Sequence, residues 1–487
     1  MAEGFGRRAV KGSLWATFDG WATEALSLVV FLVLARLLGP GEFGLVAIAL
    51  GFTAVAAHLT AYTTGEVLIQ KQDLTDADCD AVFWVTVLAA GLLALVLALA
   101  APAIGRLFDA AELASVIRWL CVVLVLQAFT TVPLALLTRE LRFDVTARRS
   151  LIMLLGGAIT GIAMAVQGYG VWALVGQHLA GASLNTVLLL GATGWRPGLR
   201  AGWPQVLAIR RFVASSLGNS ALQMVDERAP QLLVGFLLGP AAAGLMNVAL
   251  RLVQMMQRLF AVPINQIAMP AFARLRDDPA ALDRFRDVAL SLGLAVSLPA
   301  AAGAAAIAPE LIGLGLGEAW LPMVPVFQIL CVGVAIWPVI LQARSALYGL
   351  GRPERLLRVG LLDGVAGVIV ILATAPFGLV AVALGLSLRI LVWRWPLTAR
   401  QVRLELGTGL VHELRLLLPP LLASLLVLLV FVALRLALEP VLGTWPAIVL
   451  AGLVAGLAYV VITAVLQRSH LRVAWALWRG VPVAAPA

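Results

Sequence analysis

Twelve side chains of this sequence have the chemistry to bind an anion or carry a proton: Asp19, Glu24, His58, Glu66, Asn219, Gln223, Asp226, Glu227, Arg228, Arg251, Gln254 and Arg258. A guanidinium presents a planar fork of donors that matches phosphate oxygens in pairs. Carboxylates and an imidazole take up and release protons, or hold a cation. Asn219, Gln223 and Asp226/Glu227 recur at helical spacing, and so do Arg251, Gln254 and Arg258, so each set forms a stripe on one helix face. All twelve lie within or beside long apolar runs. A charge at the centre of a bilayer costs at least ~2.5–3.5 kcal/mol, so such groups face protein or water, and a hydrated cleft is expected.

The elements that must position these groups follow from composition. Of 487 residues, 62% are hydrophobic and 13% charged, and the mean hydropathy is +0.99. That is the composition of a membrane protein. About fourteen apolar runs, each long enough to cross ~30 Å of hydrocarbon as a helix, fall near residues 14–38, 42–69, 82–104, 114–137, 149–167, 171–193, 211–238, 242–268, 287–309, 321–348, 359–376, 377–398, 415–437 and 445–467. The expected fold class is an all-α membrane protein.

The net charge of +9 is no nucleic-acid signature, because its distribution follows the positive-inside rule. Basic residues precede span 1 (Arg7, Arg8, Lys11) and fill every second connection, as at Arg139 to Arg149, Arg196 to Arg211, Arg274 to Arg286, Arg352 to Arg358 and Arg394 to Arg415. Both termini are therefore expected in the cytoplasm. The first apolar run is long, contains Asp19 and Glu24 and lacks a small-residue cleavage site, so it is read as a retained span rather than a signal peptide. Cys79, Cys121 and Cys331 are scattered singly, without metal-ligand spacing. No metal and no cofactor are expected.

One turn occurs twice. "LARLLGPGEFGLVAIAL" (Leu34 to Leu50) returns as "LVGFLLGPAAAGLMNVAL" (Leu233 to Leu250), with Gly39, Pro40 and Gly44 recurring 200 positions on as Gly239, Pro240 and Gly244. Six spans separate the copies, so the hairpins run in the same direction and the repeat is parallel. "PLALLTRELRF" from Pro133 also realigns with "PVILQARSALYG" from Pro338. The chain divides into an N-terminal lobe (1–200, spans 1 to 6), a C-terminal lobe (201–404, spans 7 to 12) and an appended pair of spans with an interfacial tail (405–487). Helices on the two sides of a turn rise equally per residue, which sets Asp19 level with His58, Asn219 with Arg258, and Asp226 with Arg251. The 200-residue offset maps Asp19 onto Asn219 and His58 onto Arg258.

"VLIQKQDLTDADCDAVFW" from Val67, with "LTRELRFDV", "GYGVWALVGQHL", "GWRPGLR" and "LGEAWLPMVPVFQILC", resembles the Wzx-type lipopolysaccharide and exopolysaccharide flippases of the multidrug, oligosaccharidyl-lipid and polysaccharide exporter superfamily. The resemblance covers roughly residues 10–400. It implies a V-shaped pair of six-helix lobes that moves undecaprenyl-pyrophosphate-linked oligosaccharides across the bacterial inner membrane, among membrane lipids and beside a polysaccharide polymerase and chain-length regulator. On that footing Arg228, Arg251 and Arg258 are the expected pyrophosphate contacts, with Asn219, Gln223 and Gln254 beside them in the cleft. Asp19, Glu24, His58, Glu66, Asp226 and Glu227 are candidates for ion coupling. For the acids, hydrogen bonding to helix neighbours is the competing role; for His58 it is packing; and Asp226 with Arg251 also reads as a structural ion pair.

Other classes fit less well. A membrane polymerase or ligase calls for a large outer loop bearing catalytic groups, and the connections here are short; a Gly-x-x-x-x-Gly-Lys phosphate loop is absent. A peptidoglycan-precursor flippase of the superfamily is expected to carry arginines in span 1, where Asp19 and Glu24 stand. Drug or cation extrusion is the remaining alternative. Asp76-Ala77-Asp78 resembles a glycosyltransferase metal motif, but Thr75 and Asp78 read as a helix cap. The topology is checked with reporter fusions: both termini and the 274–286 loop should report cytoplasmic and residues 310–320 external, the reverse overturning the parallel repeat.

Overall fold

The computed structural model describes residues 23–58, 60, 65, 68–69, 71, 73–140, 142–200, 202, 230–274 and 278–468. Hydrocarbon offers no hydrogen-bond partner to the backbone, so a spanning segment must satisfy its own amides, and the described residues are helical with no strand among them. We number the helices α1 (residues 23–37), α2 (Pro40–Ala57), α3 (Asp76–Leu107), α4 (Ala111–Arg139), α5 (Phe143–Val166), α6 (Val171–Ala192), α7 (230–238), α8 (Pro240–Arg274), α9 (Pro279–Ala306), α10 (Ala308–Gly315), α11 (Val324–Gly349), α12 (Pro353–Thr374), α13 (Leu379–Arg389), α14 (Trp395–Leu406), α15 (Leu410–Leu442) and α16 (Thr444–Leu466). A π-helical turn, Ile390–Arg394, joins α13 to α14. Eleven helices among the described residues are long and apolar enough to cross a membrane. The other three expected spans, near 14–38, 211–238 and 242–268, fall partly on residues or side chains that are not described.

Contacts divide the chain into two compact units, Met1–Asn247 with Gly315–Trp320, and Val248–Leu314 with Leu321–Ala487. In the first, the repeated turn does its work. Pro40 and Pro240 each begin a helix, where a missing N–H costs nothing. Only the second copy uses a left-handed glycine: Gly239 has φ +86°, whereas Gly39 sits at φ −85°. Four residues on, Gly44 and Gly244 meet backbone to backbone. A Cβ on Gly44 would lie 1.7 Å from the Pro240 carbonyl oxygen, and one on Gly244 1.9 Å from that of Pro40. The contact is reciprocal, as a local two-fold requires. Phe31, Phe43 and Trp320 stack edge to face beside it, at 5.6 and 5.4 Å between centroids, and the buried Trp320 indole donates to Ala35 O at 2.8 Å.

In the second unit, α15 runs along α9 in parallel and in fixed register. His412 meets Asp287 at 2.7 Å, and twenty-three residues further along both segments Arg435 pairs with Glu310. The two contacts are thus about 35 Å apart, close to the hydrocarbon thickness. Between them Tyr459 of α16 donates to Ala295 O at 2.7 Å. Arg286, read from sequence as part of a connection, is 2% exposed inside α9, where it donates to Thr408 and faces the buried Glu413, itself held by Trp395 Nε1 at 2.7 Å.

Among glycines spaced four apart, Gly157 and Gly161 pack against Gln177 of α6, while Gly452 and Gly456 have nothing within 4 Å of their Cβ positions. The Gly44 contact makes a prediction. Gly44→Ala, whose methyl collides with backbone, should cost about 1–3 kcal/mol, seen as a lower unfolding temperature in detergent; Gly41→Ala, helical and with nothing within 4 Å, should leave it the same or slightly raised.

Candidate functional site

Helix α8 carries the stripe expected from spacing. Arg251 is half-buried, Gln254 and Arg258 are exposed, and the three share one face. Arg251 and Arg258 lie eleven and eighteen residues after Pro240, about 16 and 27 Å along the helix, within the thickness of a bilayer. A guanidinium at that depth faces a protein partner, water or a polar ligand rather than lipid. Gln257, about 100° round the helix from Arg258, points elsewhere: its Nε2 donates to Gly333 O of α11 at 3.3 Å. That bond ties α8 to α11 at this level.

His58 ends α2, also eighteen residues past its proline, and is half-buried, with its backbone N–H on Ala54 O and Val55 O. Glu24 is half-buried on α1. Asp19, Glu66, Asn219, Gln223, Asp226, Glu227 and Arg228 lie outside the described residues, as does the tail from Ser469.

The signature residues have another use. Thr75 and Asp78 close a capping box on α3, and Lys71 pairs with Asp78 at 2.6 Å. Asp80, 1% exposed, accepts the backbone N–H groups of Gly198 and Arg200 at 3.0 and 3.2 Å, and Trp84 returns a bond to Gly198 O at 2.8 Å. Asp76 pairs with Arg200. Arg139 donates to Leu68 O and Lys71 O. Of the Asp-Ala-Asp motif, Asp76 thus pairs with the 198–200 strap and Asp78 caps α3, and among the described residues no cluster suits a metal ion.

Sequence reasoning missed one charged group. Asp363 of α12, 2% exposed, takes two guanidiniums: Arg389 at 3.5 Å and Arg394 at 3.2 Å. Spacing groups Arg394 with Arg400 and Arg403 on a connection; it belongs instead to the π-helical turn inside the span. The level-matching rule applied to the Gly-Pro turns would have paired Asp363 with Arg389 across the turn at Ala375–Phe377, since both lie equally far from it.

Helical spans, repeated Gly-Pro hairpins and a polar stripe among the spans define a multi-pass membrane protein. A solved structure titled as the lipid II flippase MurJ in an inward closed conformation matches 94% of this chain and 99% of its own with a TM-score of 0.73 at 13% identity. A multidrug resistance MATE family transporter of the MOP superfamily matches 83% and 94% with a TM-score of 0.57 at 15% identity. These likenesses concern the fold. In sequence, the chain is 26% identical over 264 residues to the succinoglycan biosynthesis transport protein ExoT of Rhizobium meliloti (strain 1021), spanning 54% of this chain and 53% of ExoT. It is 25% identical over 336 residues to the lipopolysaccharide biosynthesis protein WzxC of Escherichia coli (strain K12), spanning 67% of this chain and 66% of WzxC. A family described as "Polysaccharide biosynthesis protein" matches residues 33–325, and the chain belongs to it.

The orientation of the stripe is open to test. The native cysteines Cys79, Cys121 and Cys331 are all buried, so they should stay silent to a water-soluble maleimide. Gln254→Cys and Arg258→Cys should be labelled in membrane vesicles; failure of both to react from either side would place the stripe against lipid or protein.

Proposed function

We propose that this protein is a flippase that carries undecaprenyl-pyrophosphate-linked oligosaccharide repeat units across the bacterial inner membrane by alternating access, for lipopolysaccharide or exopolysaccharide assembly. The observation that carries this reading is the Arg251, Gln254 and Arg258 stripe on α8, a row of phosphate-matching donors held at bilayer depth, in a member of a polysaccharide biosynthesis family. ExoT and WzxC, named for polysaccharide transport and biosynthesis, support the substrate class. Arg228, Asn219 and Gln223 complete the pyrophosphate and sugar contacts; Asp19, Glu24, His58, Glu66, Asp226 and Glu227 supply the ion coupling. The chain makes and breaks no covalent bond. Its termini are cytoplasmic, its lobes are 1–200 and 201–404 with the appended spans at 405–487, and a polymerase and chain-length regulator take up its product.

Loss of the protein should stop surface polysaccharide while lipid-linked repeat units build up on the inner leaflet. Normal polymer export, with a second flippase of the pathway ruled out, would refute the reading, and accumulation on the outer leaflet would indicate a polymerase. Arg258→Ala should abolish export with the protein still abundant, and Arg258→Lys should restore part of it, because lysine keeps the charge and loses the fork.

A further inference from the structure

The charged group of α12 to α14 is built with more care than a simple helix clamp needs. On a regular α-helix, residues five apart lie about 140° from one another, so Arg389 and Arg394 could not share a carboxylate. The π turn between them, closed by the Trp395 N–H on Ile390 O, brings the two onto one side. Arg389 is further seated by the Asp363 carbonyl, which accepts from its Nη1 at 2.7 Å. One turn along α12, Gly367 leaves room for it: a Cβ there would lie 2.4 Å from Nη1. The first residue of the same π turn, Ile390, rests on Gly333, whose Cβ position is 3.4 Å from Ile390 Cδ1. Gly333 O is the acceptor that holds Gln257, the neighbour of Arg258.

We propose that Asp363, Arg389 and Arg394 form a positioning device for the α8 stripe: their shared ion pairing sets the π turn, the turn sets Gly333 through Ile390, and Gly333 sets the rotation of α8 through Gln257. All of these residues lie within the second unit, and the chain of contacts is continuous from the buried carboxylate to the residue beside Arg258. The inference rests on the reading of the stripe as the substrate contact. It assigns the work of aiming that contact to a group that need not touch the substrate. Removing the Asp363 charge takes away the carboxylate that Arg389 and Arg394 share, and with it the pairing that holds the π turn, which frees Ile390 to shift.

The test measures the aim of the stripe directly. In vesicles carrying Gln254→Cys, the rate of labelling by a water-soluble maleimide is compared with and without Asp363→Asn, each in the Gln257 and the Gln257→Leu background. Asp363→Asn should change the rate by about threefold or more, and the change should vanish once Gln257→Leu has cut the link; Asp363→Glu should restore the original rate. A purely structural pair would lower abundance and leave the labelling rate of the surviving protein where it was. An unchanged rate, or a change that persists in Gln257→Leu, overturns the proposal. Should Asp363→Asn fail to accumulate, Gly367→Ala displaces the Arg389 guanidinium without deleting a charge and is read by the same two criteria. Export by Arg258→Ala is scored separately: normal export there would sink the reading of the stripe while the labelling link between Asp363 and Gln254 stands or falls on its own.

Discussion

Hydrocarbon solvates neither a backbone amide nor a charge, and that constraint accounts for most of what this chain does with its residues. It forces the backbone into helices, and it leaves every ionised side chain at bilayer depth with two solutions, a partner or water. The protein uses both. Asp363 with Arg389 and Arg394, and, towards the two ends of α15, Arg286 with Glu413 and Glu310 with Arg435, are partnered, most of them nearly closed to solvent. On the α8 stripe, Gln254 and Arg258 are open to solvent. The cost of a buried pair is desolvation that only good geometry offsets. That is why these pairs come with additional hydrogen bonds, from Thr408, Trp395 and the Asp363 carbonyl.

Sequence spacing made the helices, the two Gly-Pro turns and the α8 stripe legible, because each is a local pattern. The helix pitch alone places Arg251, Gln254 and Arg258 on one face, and a proline after a glycine marks a helix start in either copy. What spacing could not convey was anything that depends on which helix lies next to which. Glu413 reads as one acid at a span end; only the docking of α15 on α9 makes it the partner of Arg286. Gly44 and Gly244 read as matched residues of two repeats, and only their reciprocal approach shows why both must lack a side chain. The π turn is harder still, since nothing in "RILVWRW" announces an extra residue in one turn.

The residues that make the sequence recognisable and the residues that face the hydrocarbon interior are different sets. "DLTDADCDAVFW" and "GWRPGLR" meet each other at one end of α3, where Asp80 satisfies two backbone donors of the strap and Trp84 fixes a third bond. Their chemistry is that of a folded loop: removing the Asp80 carboxylate would leave donors without acceptors, a loss of about 1–3 kcal/mol for each such group. Few side chains other than a carboxylate would satisfy the same two backbone donors. The wider polar face of α8 obeys no such one-to-one fit.

The register between α9 and α15 restricts how this part of the chain can change over evolutionary time. Residues 412 and 287 meet at one end and 435 and 310 at the other, with the same sequence separation at both. Substitutions between the two ends alter one contact and leave the register intact, so the exposed leucines of α15 are free to drift among apolar types. A single-residue insertion or deletion there turns everything beyond it by about 100° and advances it by 1.5 Å, swinging Arg435 away from Glu310 while His412 still holds Asp287. Span 13 is thus permissive in composition and fixed in length, and related chains that keep both pairs are expected to vary there by replacement and never by a gap.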